Sequence, residues 1–265
     1  IADKYAEGRV RFTIRSNIEF MVSKASMVDP LIAELEKHGF PVGGTGNSIS
    51  MISHTQGWLH CDIPGTDASG AVKALMDELI VEFKREEMPN RVHISTSCCE
   101  INCGGQADIA IIIQHTKPPV INHDLVANVC ERPTVVARCP VAAIRPAMVN
   151  GKPSLEIDES KCMCCGACYP PFPPMQINDP ENSKLTIWVG GKNSNARGKP
   201  TFMKMVLSGL PNNPPRWPEV SEAVKNILRV YKEDARPCER MAECVESIGW
   251  HRLLDKTGVQ FTKYL

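Results

Sequence analysis

Cys162-x-Cys164-Cys165-x-x-Cys168 limits this chain's fold more than any other segment, because four thiols within seven residues leave little room for an ordinary apolar core around them. Twelve cysteines occur in 265 residues, and several are grouped: Cys98-Cys99 is a doublet, with Cys103 close behind. A small secreted protein would use such a count for disulfides, but this chain is long enough to bury a core of ordinary size and opens without a charged-then-apolar signal segment. Grouped thiols in a reducing compartment suit soft thiolate ligation of a metal centre. The longest apolar runs, such as the one over 107–113, fall far short of the roughly 20 residues that span a bilayer. The chain therefore reads as soluble and cytoplasmic. Thirty Lys plus Arg balance thirty Asp plus Glu, which argues against a nucleic acid or an anionic membrane as partner. Any anion site must be local. Ile1 falls in mid-pattern and Leu265 stops abruptly, as expected of a fragment or processed chain.

Periodicity predicts an α+β layout. Val10, Phe12 and Ile14 alternate as in a strand, and Asp29-Pro30 offers an N-cap and first-turn proline for a helix ending near Gly39. Strands are expected over 49–53, 92–97 and 109–114. A helix is expected over 68–84, where Val72, Leu75, Leu79 and Phe83 share one face. From about 122 to 182 the texture turns rich in proline and cysteine with little periodicity, which predicts an inserted small domain stapled by its cofactor. Sheet-like sequence resumes at Leu185, and two amphipathic helices, over 218–232 and 238–254, close the chain.

Cys162-x-x-Cys165-x-x-Cys168 resembles the three-cysteine core of a bacterial ferredoxin, where closely spaced thiolates wrap three irons of a cubane. The fourth cysteine of that pattern, followed by proline, ligates the other cluster of a two-cluster protein. Here its place holds Phe172-Pro173, whereas a reciprocal Cys139-Pro140 survives, followed by Ala142-Ala143-Ile144. The upstream ligands of the second half would fall at Val129, Arg132 and Val135, which bind no iron. One [4Fe–4S] cluster on Cys139, Cys162, Cys165 and Cys168 is expected. A zinc knuckle is the competing chemistry, and its usual spacing matches less well. Cys130, Cys164, Cys238 and Cys244 read as ordinary packed or surface thiols.

Cys99-x-x-x-Cys103, followed by Gly104-Gly105, resembles half of the cysteine signature of the nitrite and sulfite reductase siroheme family. In that family the last cysteine bridges a [4Fe–4S] cluster to siroheme iron. The other half is Cys-x5-Cys, from which this chain departs: Cys61 is followed by Asp67 where the second cysteine belongs, and Cys98 is the substitute. The resemblance thus implies Cys61, Cys98, Cys99 and Cys103 as ligands, with Cys103 as the bridge. It extends to the strand 11–15 with Arg11 and Arg15, to His54-Thr55-Gln56-Gly57-Trp58-Leu59-His60, to Gly190-Gly191-Lys192, and to Pro214-Pro215-Arg216-Trp217-Pro218. Together these are similar to dissimilatory-type beta subunits over nearly the whole chain.

The resemblance implies a ferredoxin-like half-domain over 1–65 (truncated at its N-terminus), a siroheme and 4Fe-4S domain over 66–121 and 183–265, and an inserted ferredoxin domain over 122–182. It also implies sulfite as substrate, an alpha subunit in an α2β2 assembly, a small sulfur-carrier protein as a further partner, and siroheme with two [4Fe–4S] clusters as cofactors. Thr55, Gln56, Gly57, Arg91, His93, Lys192, Arg197 and Lys199 are candidates for holding siroheme, and His60 for donating a proton. Two cationic positions of single-chain relatives are altered, to Asn47-Ser48 and Arg91-Val92-His93. This implies that alpha supplies most of the sulfite-binding cations, while Arg15 and Arg91 face a second porphyrin site. The rival readings are an anaerobic or assimilatory sulfite or nitrite reductase subunit, a reverse-running sulfur-oxidising enzyme, and a non-catalytic electron-transfer subunit.

Overall fold

The computed structural model describes residues 1–13, 17–170, 175–177, 179–193 and 198–260, with the side chain of Pro180 left aside. At the N-terminus lie α1 (Ala2–Tyr5), β1 (Val10–Phe12), β2 (Ile18–Phe20) and α2 (Val28–Lys37). β1 and β2 pair antiparallel with Arg11 opposite Glu19, and Phe12 is left exposed. Lys4 Nζ and Tyr5 Oη both donate to Glu34 at 2.6 Å and so tie α1 to α2. Asp29, expected as an N-cap, instead lies in the first turn of α2, where a carboxylate also suits the helix dipole.

The centre of the molecule is built from β3 (Ile49–His54), α3 (Ala68–Lys84), β4 (Val92–Ser97) and β5 (Ile109–His115). Asp67 caps α3 by accepting the Ser69 N–H at 3.1 Å. The chain then departs through β6 (Val120–Ile121), α4 (His123–Val129), α5 (Arg132–Arg138), β7 (Ile144–Val149), β8 (Lys152–Ile157) and β9 (Met175–Gln176). It returns in β10 (Ser183–Val189) and β11 (Lys204–Pro211), and ends in α6 (Pro218–Asp234), α7 (Met241–Ile248) and α8 (Trp250–Thr257).

Five strands form one mixed sheet in the order β11-β10-β5-β4-β3. β3, β4 and β5 run parallel, and β10 and β11 extend the sheet antiparallel. The strict alternation of β4 separates its faces. Val92 and Ile94 join Leu75, Leu79, Val224, Ile227 and Tyr231 in the main core beneath α3 and α6. Arg91, His93, Ser95 and Ser97 fall on the opposite, polar face.

The segment expected to lack periodicity contains two short helices and the β7–β8 hairpin. Its own apolar cluster comprises Val126, Val135, Ile144, Leu155, Cys168 and Met175. β6 and β9 pair antiparallel where the chain enters and leaves this segment. The expected helix over 238–254 is divided, because Gly249 at φ +85° interrupts it between α7 and α8. Cys238 therefore lies outside the helix, exposed at φ +65°, while Cys244 is buried on α7.

Candidate metal centres and macrocycle site

Parallel neighbours leave a sheet at the same edge, and here that rule brings distant cysteines together. His54 at the end of β3 is the register partner of Thr96 near the end of β4. Beyond β3 the chain turns through Thr55, Gln56 and Gly57 to Cys61; beyond β4 it runs directly into Cys98-Cys99. The sulfurs of Cys61, Cys98 and Cys99 all lie within 4.8 Å of one another, with Cys61 to Cys99 at 3.9 Å. Gly57, at φ +59°, shapes the turn, and its carbonyl accepts the Cys61 N–H at 3.0 Å. The Thr55 hydroxyl accepts the Cys98 N–H at 3.0 Å and donates to Cys98 Sγ at 3.1 Å.

Hydrogen bonding from Cys99, helped by Thr55 and Cys61, draws the Cys98 thiol down to about 5 against its burial. Cys99 is pushed upward, chiefly by that same bond to Cys98 and then by burial, and burial raises Cys61. Of the three thiols, Cys98 is the one whose hydrogen bonds favour the thiolate. Such a donor set calls for a soft cationic centre.

Cys103, the expected fourth ligand, is not drawn into this trio and remains exposed. It follows a turn in which Asn102, at φ +51°, donates its N–H to the Cys99 carbonyl at 3.2 Å. Gly104 packs closely on this turn, since a Cβ there would lie 3.1 Å from Ser97 Oγ. His60, beside Cys61, is exposed, as is Gln56.

A depression of about 1370 Å³ opens over the polar face of β3 and β4. Arg91 and His93 line it, together with Met51, the register partner of His93. Arg11, Phe12 and Glu19 from the β1–β2 pair form another wall, and Gly104, Gly105, Gln106 and Asn193 a third. Arg11 is held by Glu19 at 2.5 Å. Arg15 and Arg197 lie outside the described residues, and Lys199 is exposed. Lys192 corrects an expectation: instead of offering its ammonium from a basic loop, it is buried and ion-paired with Glu243 at 2.8 Å. A buried ammonium needs a partner, and the inner carboxylate supplies it. Met51, Glu19, Gln106 and Asn193 were not singled out from sequence; the Arg-Val-His-Ile-Ser-Thr-Ser alternation at 91–97 was the available signal for a polar face.

The cysteines of the 122–182 segment are arranged differently. Cys139, Cys162, Cys165 and Cys168, with Cys164, line one small, partly open cavity shared with Pro140, Ile144 and Ile157. Among the described residues only Cys61, Cys98 and Cys99 bring three sulfurs within 4.8 Å of one another, so these four line a common cavity without closing that tightly. Backbone amides also point at the sulfurs: Ala143 N–H donates to Cys139 Sγ at 3.2 Å, and Cys164 N–H to Cys162 Sγ at 3.4 Å. Such bonds stabilise thiolates and set cluster potential. Cys164, at φ +58°, lines the cavity although it fits no ligand register. Phe172 and Pro173, where the other cluster's ligand is missing, lie outside the described residues.

The two thiol groups approach each other. Gly166, at φ +75°, lies so close to Ile63 that a Cβ there would sit 2.8 Å from Ile63 Cδ1. Ile63 is two residues from Cys61. Glu100, which follows Cys99, acts electrostatically on Cys164 and Cys165, and burial pushes its carboxyl up to about 7 against a hydrogen bond with Gln114. No helix among the described residues is long and apolar enough to cross a membrane.

Comparison with known proteins gives matching results. Residues 45–265 match the nitrite and sulphite reductase 4Fe-4S domain, and residues 1–38 match the nitrite/sulfite reductase ferredoxin-like half domain. A dissimilatory-type sulfite reductase beta subunit of Archaeoglobus fulgidus is 45% identical over all of this chain and 74% of its own length. An alpha subunit of the same type of enzyme from Allochromatium vinosum is 20% identical over 97% of this chain and 64% of its own length. In fold, the chain is similar to dissimilatory sulfite reductase I, with a TM-score of 0.84 at 18% identity over 99% of this chain and 65% of that one.

Proposed function

The chain belongs to the nitrite and sulphite reductase family, among its dissimilatory-type beta subunits, and from that premise we propose that it reduces sulfite toward sulfide in complex with an alpha subunit. The observation that carries this reading is the meeting of Cys61, Cys98 and Cys99 at one sheet edge, inside the stretch matched by the 4Fe-4S domain. Siroheme coupled to a [4Fe–4S] cluster supplies the multi-electron chemistry when bound. Cys61, Cys98 and Cys99 would hold that cluster together with Cys103, which is exposed outside the trio. Thr55 fixes the Cys98 thiolate, and Gly57 shapes the turn into Cys61.

Cys139, Cys162, Cys165 and Cys168 hold a second [4Fe–4S] cluster in an inserted ferredoxin domain over 122–182; the cavity they share and the N–H···S bonds support it. A cluster there would supply electron entry, and the Gly166–Ile63 contact is where the segment carrying its thiols packs nearest the loop of Cys61. The half-domain occupies 1–65 and the siroheme domain 66–121 with 183–265. Arg91 and His93, which line the large depression with Arg11, would hold a porphyrin there. With Arg11 paired to Glu19, Arg91 and His93 are the donors in the lining that suit a polycarboxylate macrocycle. The alpha subunit supplies the principal cations for sulfite at the Cys103 centre, in an α2β2 assembly that serves a small sulfur-carrier protein. The reducing cytoplasm suits thiols that must stay unoxidised.

Co-expression with alpha, followed by iron, sulfide and porphyrin quantification, tests the reading. About eight irons per beta chain are expected from its two cubanes. Half that number would remove one of the two ligand sets, and full sulfite turnover by beta alone would overturn the division of labour with alpha.

A further inference from the structure

Beneath the large depression lies a buried group of charges that touches no ligand site directly. Arg240 Nη2 donates to both carboxylate oxygens of Asp108, at 2.9 and 2.8 Å, and Asp108 is fully buried. Glu243, one turn along α7, accepts the Arg240 backbone N–H at 2.9 Å and the Lys192 ammonium at 2.8 Å. Two anions and two cations therefore join the start of α7 to the ends of β5 and β10.

Asp108 and Lys192 each reach the wall of the depression directly, and Arg240 and Glu243 act on it through them. The His93 N–H donates to Asp108 Oδ2 at 2.8 Å. Gln106 is two residues before Asp108, and its side-chain oxygen accepts the Met203 N–H at 2.9 Å. Asn193 follows Lys192. The two segments run close together: a Cβ on Gly191 would lie 2.5 Å from the Ala107 carbonyl oxygen, and the Gly190 N–H donates to the Asp108 carbonyl at 3.0 Å. Burial pushes the Asp108 carboxyl upward, and the guanidinium of Arg240 is the main opposing influence.

We propose that the buried Asp108–Arg240 and Glu243–Lys192 pairs are positioning residues for the macrocycle site, holding His93, Gln106 and Asn193 in the places from which they face a polycarboxylate ring. This rests on the porphyrin assignment made above. It also gives the Gly190-Gly191-Lys192 motif a role: the glycines permit close backbone approach, and the lysine locks the loop from within. Buried charge pairs add little net stability but are costly to break singly. Their value here is geometric.

The test uses the complex co-expressed with alpha. Porphyrin retained after dialysis, amide hydrogen exchange at His93 and thermal midpoint are compared for Arg240→Met, Arg240→Lys, Lys192→Met and the double variant Asp108→Asn/Arg240→Met. Partners that orient the groups touching a cofactor are commonly worth about 10- to 100-fold in affinity. A loss of that order in Arg240→Met and Lys192→Met, with faster exchange at His93 and partial recovery in Arg240→Lys, is expected well below the thermal midpoint. If Arg240→Met fails to fold, the charge-neutral double variant carries the test and is expected to fold while losing porphyrin. Full porphyrin retention with unchanged His93 exchange in the folded variants overturns the proposal. Arg91→Ala and His93→Ala serve as the separate control: if neither lowers porphyrin retention, the macrocycle assignment itself fails.

Discussion

Gly166→Ala probes whether the cysteine-rich insert is seated on the main sheet where the structure puts it. Two costs are expected, and they separate. Gly166 has φ +75°, and an alanine held in the left-handed region costs roughly 1–2 kcal/mol. The new Cβ would also lie 2.8 Å from Ile63 Cδ1, with Cγ2 at 3.4 Å and Cβ at 3.5 Å, and overpacking of this kind costs about 1–3 kcal/mol. The single variant should therefore lose about 2–5 kcal/mol. Ile63→Val removes the atom in closest contact and on its own costs about 0.5–1.5 kcal/mol. If the contact is real, the double variant retains the backbone strain but sheds the overlap, and falls short of additivity by about 1–3 kcal/mol. Anaerobic urea titration of the cluster-loaded chain, followed by tryptophan fluorescence, measures all four corners of the cycle. Additivity within about 0.5 kcal/mol would refute the contact and, with it, the proposed approach of the insert to Cys61.

Thr55→Val removes a donor to Cys98 Sγ, and because such bonds favour the more negative reduced state, the midpoint potential of the cluster held there should fall in an EPR-monitored titration. Leu155→Ala should open a cavity in the insert's own core and cost about 2–5 kcal/mol, seen as earlier proteolysis within 122–182 while the main sheet remains protected. Asp234 is held at about 2 by hydrogen bonds from Arg252 and then Lys256, so its contribution is complete above the ordinary carboxylate range and is lost as pH falls toward 2. Arg252→Ala should therefore weaken the chain at neutral pH and leave it little changed near pH 2, measured as the difference in thermal midpoint between wild type and variant.

Much of the fold was legible because its periodic elements are long and their signals local. The helix over 68–84 and the strand over 92–97 were read from side-chain spacing alone, and both stand in the structure with those bounds. The insert was misread as aperiodic because its helices are only seven residues long, too short for a face to repeat more than twice. The break at Gly249 was missed because one glycine in an amphipathic run does not distinguish a tolerated residue from a turn.

Ligand chemistry was largely written in the order of residues. Cysteines close together in the chain must be close in space, so Cys162, Cys165 and Cys168 were expected on one loop, and all three line one cavity. Tertiary structure decided what spacing leaves open. Cys61 meets Cys98 and Cys99 because β3 and β4 are parallel neighbours leaving the same edge, a fact of topology across an intervening helix. It decided against Lys192 as a surface cation for the same reason: only packing reveals that Glu243, more than fifty residues away, waits inside to pair with it. Local spacing records which groups share a loop, whereas the sheet and its buried charges determine which groups face one another.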